Sequence, residues 1–286
     1  MIRAAAPTLR RSPAAWLAAW GLVPLVCGAV PALEERITFT AIPSAALGRS
    51  LPAAIVTPAV PWAGRRSPVL LLLHGRGRTH RSLVDSPAAR AALLAAPFHV
   101  VLPQGEDGWY IDSPAWSAER YGSYLGEVVA WTFANLPVAA EPASTGIAGW
   151  SMGGYGAVRY AAAHPGHFGF VASIIGLLDY PRSETLPEGR NYRVNPARFT
   201  DEPATWERFN PLRQIRGLRA ATLTLVLSAR GFELTMNENF LAAAAAEGVA
   251  ARVHRLEGGH EFALVERALP LVLADAAASF GLGGQP

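Results

Sequence analysis

Val69-Leu70-Leu71-Leu72-Leu73 is a run of five apolar residues with no polar interruption, and it is one of a series. A strand of that kind offers no face to water, so it belongs in the middle of a sheet that is covered on both sides. Comparable runs occupy residues 98–102, 145–150, 170–175, 222–227 and 251–256. Between them, residues 82–96, 121–135, 152–164, 237–247 and 262–280 space their apolar side chains at helical intervals. Strand-like runs alternating with helix-like segments predict an α/β fold: a mostly parallel eight-stranded sheet with helices on both faces. Two early segments, 36–41 and 51–56, instead alternate apolar with polar residues around turn residues, which predicts an antiparallel edge. Residues 179–219 break the rhythm, being rich in Pro, Arg and aromatic residues, and are expected to form a cap or substrate loop after the sixth strand. Neither an internal repeat nor a low-complexity linker divides the remainder, so 33–286 is expected to be one domain.

Composition removes several alternatives. Hydrophobic residues make up 51% of the 286 and charged residues 16%, too apolar for a disordered chain or a coiled coil. The 25 basic residues are all arginines, so a phosphate-binding lysine is excluded. They never form a run longer than two, and no nucleic-acid partner is expected despite the net charge of +3. Cys27 stands alone, which rules out an intramolecular disulfide and a cysteine-based zinc site. The His164-x-x-His167 pair is weak as a ligand set, and neither metal nor cofactor is expected. Arg3, Arg10 and Arg11 precede an uncharged stretch, 12–32, that ends in Val30-Pro31-Ala32. Basic, apolar and small-residue regions in that order predict a secretory signal peptide over 1–32, with a secreted or periplasmic product and no stable membrane anchor. The mature chain would hold 22 arginines against 22 carboxylates and no cysteine, a composition suited to an oxidising compartment.

The sharpest local motif is Gly149-Trp150-Ser151-Met152-Gly153, a G-x-S-x-G between the run ending at Trp150 and an Ala-rich helical segment starting near Met152. That is the strand-turn-helix context of a nucleophile elbow. A serine in so tight a turn needs neighbours without a Cβ, so that the helix can pack against the strand. Serine at its free pKa is a poor nucleophile, so a base and a group to orient the base must follow in the chain. His260, in Glu257-Gly258-Gly259-His260-Glu261-Phe262 after the last strand, fits the base. His99 opens a strand, His254 lies within one, and His164 and His167 flank a helix end. Glu233, the first carboxylate in the loop after the seventh strand, is the expected acid, with Asp179 just after the sixth strand as the alternative and Glu238, one helical turn later, as a further candidate. For the oxyanion, donors are expected from the backbone N–H of Met152 and from Arg76 in the loop His74-Gly75-Arg76-Gly77-Arg78. That loop is not a dinucleotide fingerprint, because His80 stands where the third glycine belongs.

Together these residues resemble the putative-esterase family of α/β-hydrolases, the group that includes esterase D, tributyrin esterases, feruloyl esterases and mycolyltransferases. The resemblance runs from about Val69 to Phe280. It rests on Trp109-Tyr110-Ile111-Asp112-Ser113-Pro114, Tyr121-Gly122-Ser123-Tyr124-Leu125-Gly126-Glu127, the segment 147–157 around Ser151, His164-Pro165-x-x-Phe168, and Gly258-Gly259-His260. It implies a Ser, acid, His triad with Met152 as an oxyanion donor. Two features depart from the family: Glu233 stands where Asp is usual, and Glu261-Phe262 follows the histidine where Trp is common. The expected activity is exported serine carboxylesterase chemistry on a small-molecule or carbohydrate-linked ester. Acyl transfer of the mycolyltransferase type, or a non-catalytic binding protein whose acid is lost, are the alternatives. Trp109, Tyr110, Trp150 and Tyr180 are the residues expected to bind substrate, with Trp116, Tyr192, Trp206 and Phe232 as further aromatic candidates for the pocket.

Overall fold

The computed structural model describes Met1 and residues 36–283, apart from 63, 183, 187–197 and 201. The expected signal peptide and Tyr192 lie outside these residues. Of the two compact units into which the chain divides, Pro31–Pro286 carries everything that follows.

All five residues of β3 (Val69–Leu73) are buried, as a run without a polar side chain requires. The other strands are β1 (Ile37–Ser44), β2 (Arg49–Val56), β4 (His99–Pro103), β5 (Thr145–Trp150), β6 (Phe170–Ile174), β7 (Thr222–Ser228) and β8 (Ala251–Leu256). They form one eight-stranded sheet in the order β1-β2-β4-β3-β5-β6-β7-β8. β1 and β2 are antiparallel to each other and β2 to β4, while β3 to β8 run parallel with β4. β8 departs from the expectation of a buried run. Arg252, Val253 and Arg255 are exposed, because β8 closes the sheet and pairs on one side only, with β7.

The pleat of β3 divides its side chains between two cores. Val69, Leu71 and Leu73 join the cluster that includes Leu125 of α2 (Tyr121–Asn135), Val158 of α3 (Met152–Ala163) and Phe240 of α5 (Leu234–Ala246). Leu70 and Leu72 join the opposite cluster, with Leu93 of α1 (Pro87–Ala95) and Leu269 of α6 (Phe262–Ser279). Each such leucine contributes about 1.5–3 kcal/mol by leaving water. α1 begins five residues later than helical spacing suggests. Pro87 takes the first turn, and Ser86 caps it by accepting from the Ala89 N–H at 3.3 Å.

α1 follows β3 on one face and α3 follows β5 on the other, although the two strands are neighbours. The chain therefore diverges at the carboxyl ends of β3 and β5, leaving a crevice where open α/β sheets place their sites. The described part of 179–219 includes α4 (Pro203–Trp206) and two short 3-10 turns, Pro211–Arg213 and Ile215–Leu218; the two turns pack on α3 and α5.

Candidate active site

Ser151 sits between the last residue of β5 and the first of α3 with φ 54° and ψ −120°. A residue with a Cβ resists this conformation, at about 1–3 kcal/mol, so neighbouring contacts must enforce it. The Ser151 N–H donates to Ile174 O of β6 at 3.0 Å, and its carbonyl accepts from the Tyr155 N–H at 3.0 Å. The flanking glycines are needed for space. A Cβ on Gly149 would run into the backbone of Gly153, and one on Gly153 into Leu73 O of β3. Met152 is the first residue of α3, so its N–H has no carbonyl one helical turn earlier to bond.

The loops after β7 and β8 bring two more groups to this serine. His260 Nε2 lies 2.8 Å from Ser151 Oγ, and His260 Nδ1 lies 2.9 Å from Glu233 Oε2. A carboxylate only accepts, so Nδ1 carries the proton and Nε2 faces the serine hydroxyl as an acceptor. Glu233 is fully buried, and its other oxygen accepts from Ser228 Oγ. Gly231 makes room for the carboxylate, since a Cβ there would collide with both Glu233 oxygens. Asn237 of α5 fixes the acid loop, its Nδ2 donating to Glu233 O at 2.9 Å and to Gly176 O at 2.8 Å. Phe232 covers the imidazole, with ring centroids 4.5 Å apart.

The other two candidate acids are engaged elsewhere. Asp179 accepts from Asn210 Nδ2 and Asn239 Nδ2, each at 2.9 Å, and pairs with Arg182 at 3.4 Å. Glu238 pairs with Arg255 on the surface at 3.2 Å. Neither meets His260.

Gly75 and Arg76 face Ser151 from the end of β3. A Cβ on Gly75 would come within 2.8 Å of Trp150 Nε1 and 3.2 Å of Ser151 Cβ, so the glycine leaves room for these two side chains. His74 braces the loop: its Nε2 accepts from the Gly105 N–H at 2.8 Å, which leaves Nδ1 to donate to Gly75 O at 2.9 Å. Burial lowers His74 to about 4, so the ring is neutral and its tautomer is fixed. Tyr110 Oη closes the brace, accepting from the His74 N–H at 3.1 Å and donating to His74 O at 3.3 Å. A second histidine, His99, is bonded to Ser67 Oγ at the start of β4 and is likewise lowered by burial to about 4.

These two rings set an acid limit on stability. Between pH of about 6.5 and 4 the unfolded chain binds protons that the folded histidines refuse, so unfolding gains as pH falls through that window. Stability is expected to be full above pH of about 6.5 and to decline towards 4. Urea midpoints across this range check it, and a flat profile would contradict the burial of both rings.

The family model described as "Putative esterase" matches residues 44–275. The chain belongs to that family. Esterase Rv1288 of Mycobacterium tuberculosis is 34% identical over 119 residues, 40% of this chain and 26% of that protein. The MPT51/MPB51 antigen of Mycobacterium bovis is 31% identical over 148 residues, 50% of this chain and 46% of the antigen. The chain thus spans between a quarter and a half of the length of these curated relatives. Among solved structures, an S-formylglutathione hydrolase from Agrobacterium tumefaciens superposes with a TM-score of 0.73 at 17% identity, covering 86% of this chain and 95% of the other. The fold is that of the α/β-hydrolases.

In this member of the esterase family a cavity of about 170 Å³ opens beside Ser151 and His260. Trp150, Ile175, Phe262 and Val265 form its apolar wall, and Arg76, Arg78 and Glu261 also line it. Of the aromatic residues expected to bind substrate, Trp150 is there. Trp109, Tyr110 and Tyr180 are not, and that expectation is corrected. Trp109 is 1% exposed and packs against Tyr155, Tyr180 and Phe199 at centroid distances of 5.2, 5.3 and 5.6 Å. Tyr110 is fully buried as the His74 brace. Ile175, Val265 and Phe262 were missed as lining residues. Only Phe262 carried a signal, its position two residues after His260. Among the described residues no helix is long and apolar enough to cross a membrane, and no group of three or more His, Cys, Asp or Glu is placed to hold a metal.

Proposed function

We propose that the protein is an exported serine carboxylesterase. The observation that carries this reading is the unbroken line of hydrogen bonds from Ser151 Oγ through His260 to the buried Glu233. Ser151 Oγ attacks the ester carbonyl carbon while His260 Nε2 takes its proton, and Glu233 stabilises the imidazolium that forms. The Met152 and Arg76 N–H groups, at the start of α3 and the end of β3, receive the charge that develops on the carbonyl oxygen. His260 then returns the proton to the departing alcohol, leaving an acyl group on Ser151. Water, deprotonated by the same nitrogen, attacks that acyl group and releases the acid.

Placement outside the cytoplasm rests on Arg3, Arg10, Arg11 and the apolar stretch behind them. The non-catalytic alternative depended on a missing acid, and Glu233 within bonding distance of Nδ1 weighs against it. Incubation with p-nitrophenyl acetate and butyrate should release nitrophenolate, and a fluorophosphonate probe should add to the Ser151-containing peptide. A chain that neither hydrolyses these esters nor takes up the probe overturns the reading.

A further inference from the structure

We propose that Arg78 selects esters carrying a carboxylate within a few bonds of the scissile bond; this rests on the esterase reading and names its substrate class.

Arg78 lines the same cavity as Ser151 and His260, although it comes from the loop after β3. Its guanidinium lies over the Phe262 ring, 4.6 Å from the centroid. Stacking on one face holds the group at the cavity wall and leaves its N–H edge open to a planar acceptor. Among the described residues no carboxylate pairs with it.

The acids of the surrounding loops lie against other groups. Asp107 Oδ1 accepts from the Gly77 N–H at 3.0 Å. Glu261 turns its carboxylate onto Gly258, where a Cβ would lie 2.8 Å from Glu261 Oε1 and 3.1 Å from Arg267 Nη2. Glu233 is buried behind His260.

A neutral, wholly apolar ester would use only the wall of Trp150, Ile175, Phe262 and Val265. An ester bearing a carboxylate would use that wall and give the stacked guanidinium a planar partner for two parallel hydrogen bonds. Hydrolysis leaves this second carboxylate unchanged, so it serves binding alone.

Two matched pairs of substrates test the idea on the full chain, with kcat/KM followed by alcohol release. Monoethyl glutarate is compared with ethyl 5-methylhexanoate, and carboxymethyl butyrate with isobutyl butyrate. In each pair a carboxylate replaces an isopropyl group of similar shape, first on the acyl side and then on the alcohol side. The wild type should favour the anionic member of at least one pair by about tenfold, and that pair identifies the side Arg78 reads. Arg78→Gln should remove the preference, and Arg78→Lys, which keeps the charge without the fork, should restore part of it. Three results overturn the proposal: no preference in either pair, a preference that Arg78→Gln leaves intact, or an equal loss on all four esters, which would place Arg78 on the oxyanion instead. A wild type that hydrolyses none of the four and takes up no fluorophosphonate removes the esterase reading itself, and this proposal with it.

Discussion

Ser151→Ala is expected to lower kcat for p-nitrophenyl butyrate by about 10⁶-fold, leaving the residual rate that binding and oxyanion donors alone supply. The fold should survive. Alanine keeps a Cβ at φ 54°, so the backbone strain and the bonds from Ser151 N–H to Ile174 O and from Tyr155 N–H to Ser151 O are unchanged. Ser151→Gly is the informative companion. It removes the same nucleophile but also the Cβ that resists this conformation, returning about 1–3 kcal/mol to the folded state. In a domain of this size that raises Tm by several degrees. The pair should therefore be equally inactive and differ in thermal midpoint, glycine being the more stable. Hydrolysis by either variant at a tenth of the wild-type rate would exclude Ser151 as the nucleophile.

Glu233→Gln is expected to lower kcat by about 10⁴-fold with KM little changed. The native carboxylate accepts on both oxygens, from His260 Nδ1 and from Ser228 Oγ. A carboxamide has only one accepting oxygen. If Ser228 retains it, the amide N–H faces Nδ1, the imidazole proton moves to Nε2, and the ring can no longer take a proton from Ser151. Glu233→Asp should lose less, since it keeps two acceptors but falls short of His260 by one methylene. Stopped-flow or initial-rate assays separate these outcomes. A kcat for Glu233→Gln within tenfold of the wild type would assign the orienting role to another group.

Much of the frame was legible in the sequence because it is written locally. The continuous apolar runs of β3, β5 and β7 have no other place than a doubly covered sheet. The G-x-S-x-G could be placed on a strand-turn-helix because both its flanks carried their own periodicity. Loop position favoured Glu233 as the acid that meets His260 but left Glu238 and Asp179 open. Glu233, Glu238 and Asp179 all lie near the expected strand ends, and only the direction of each side chain separates them. Gly231 was the available hint, since it leaves the space that a longer acid needs. The substrate wall was illegible for a related reason. Ile175 and Val265 are ordinary apolar residues until the sheet and α6 bring them to Ser151. Conversely, Trp109 and Tyr180 invite a binding role by composition, yet each has neighbours enough to fill a core. β8 was read as a buried run because order along the chain does not announce which strand lies at the edge of the sheet.

That terminal position of β8 makes the reaction a gauge of the sheet's margin. Ser151 is held between interior strands, whereas His260 follows a strand that is paired on one side only. Edge elements open with less free energy than the interior. Detachment of β8 would loosen the loop that holds the imidazole near Ser151 while the elbow between β5 and α3 stays assembled. Catalytic competence is then a more fragile property of this chain than foldedness, and inactivation under mild stress would first report the loosening of one strand.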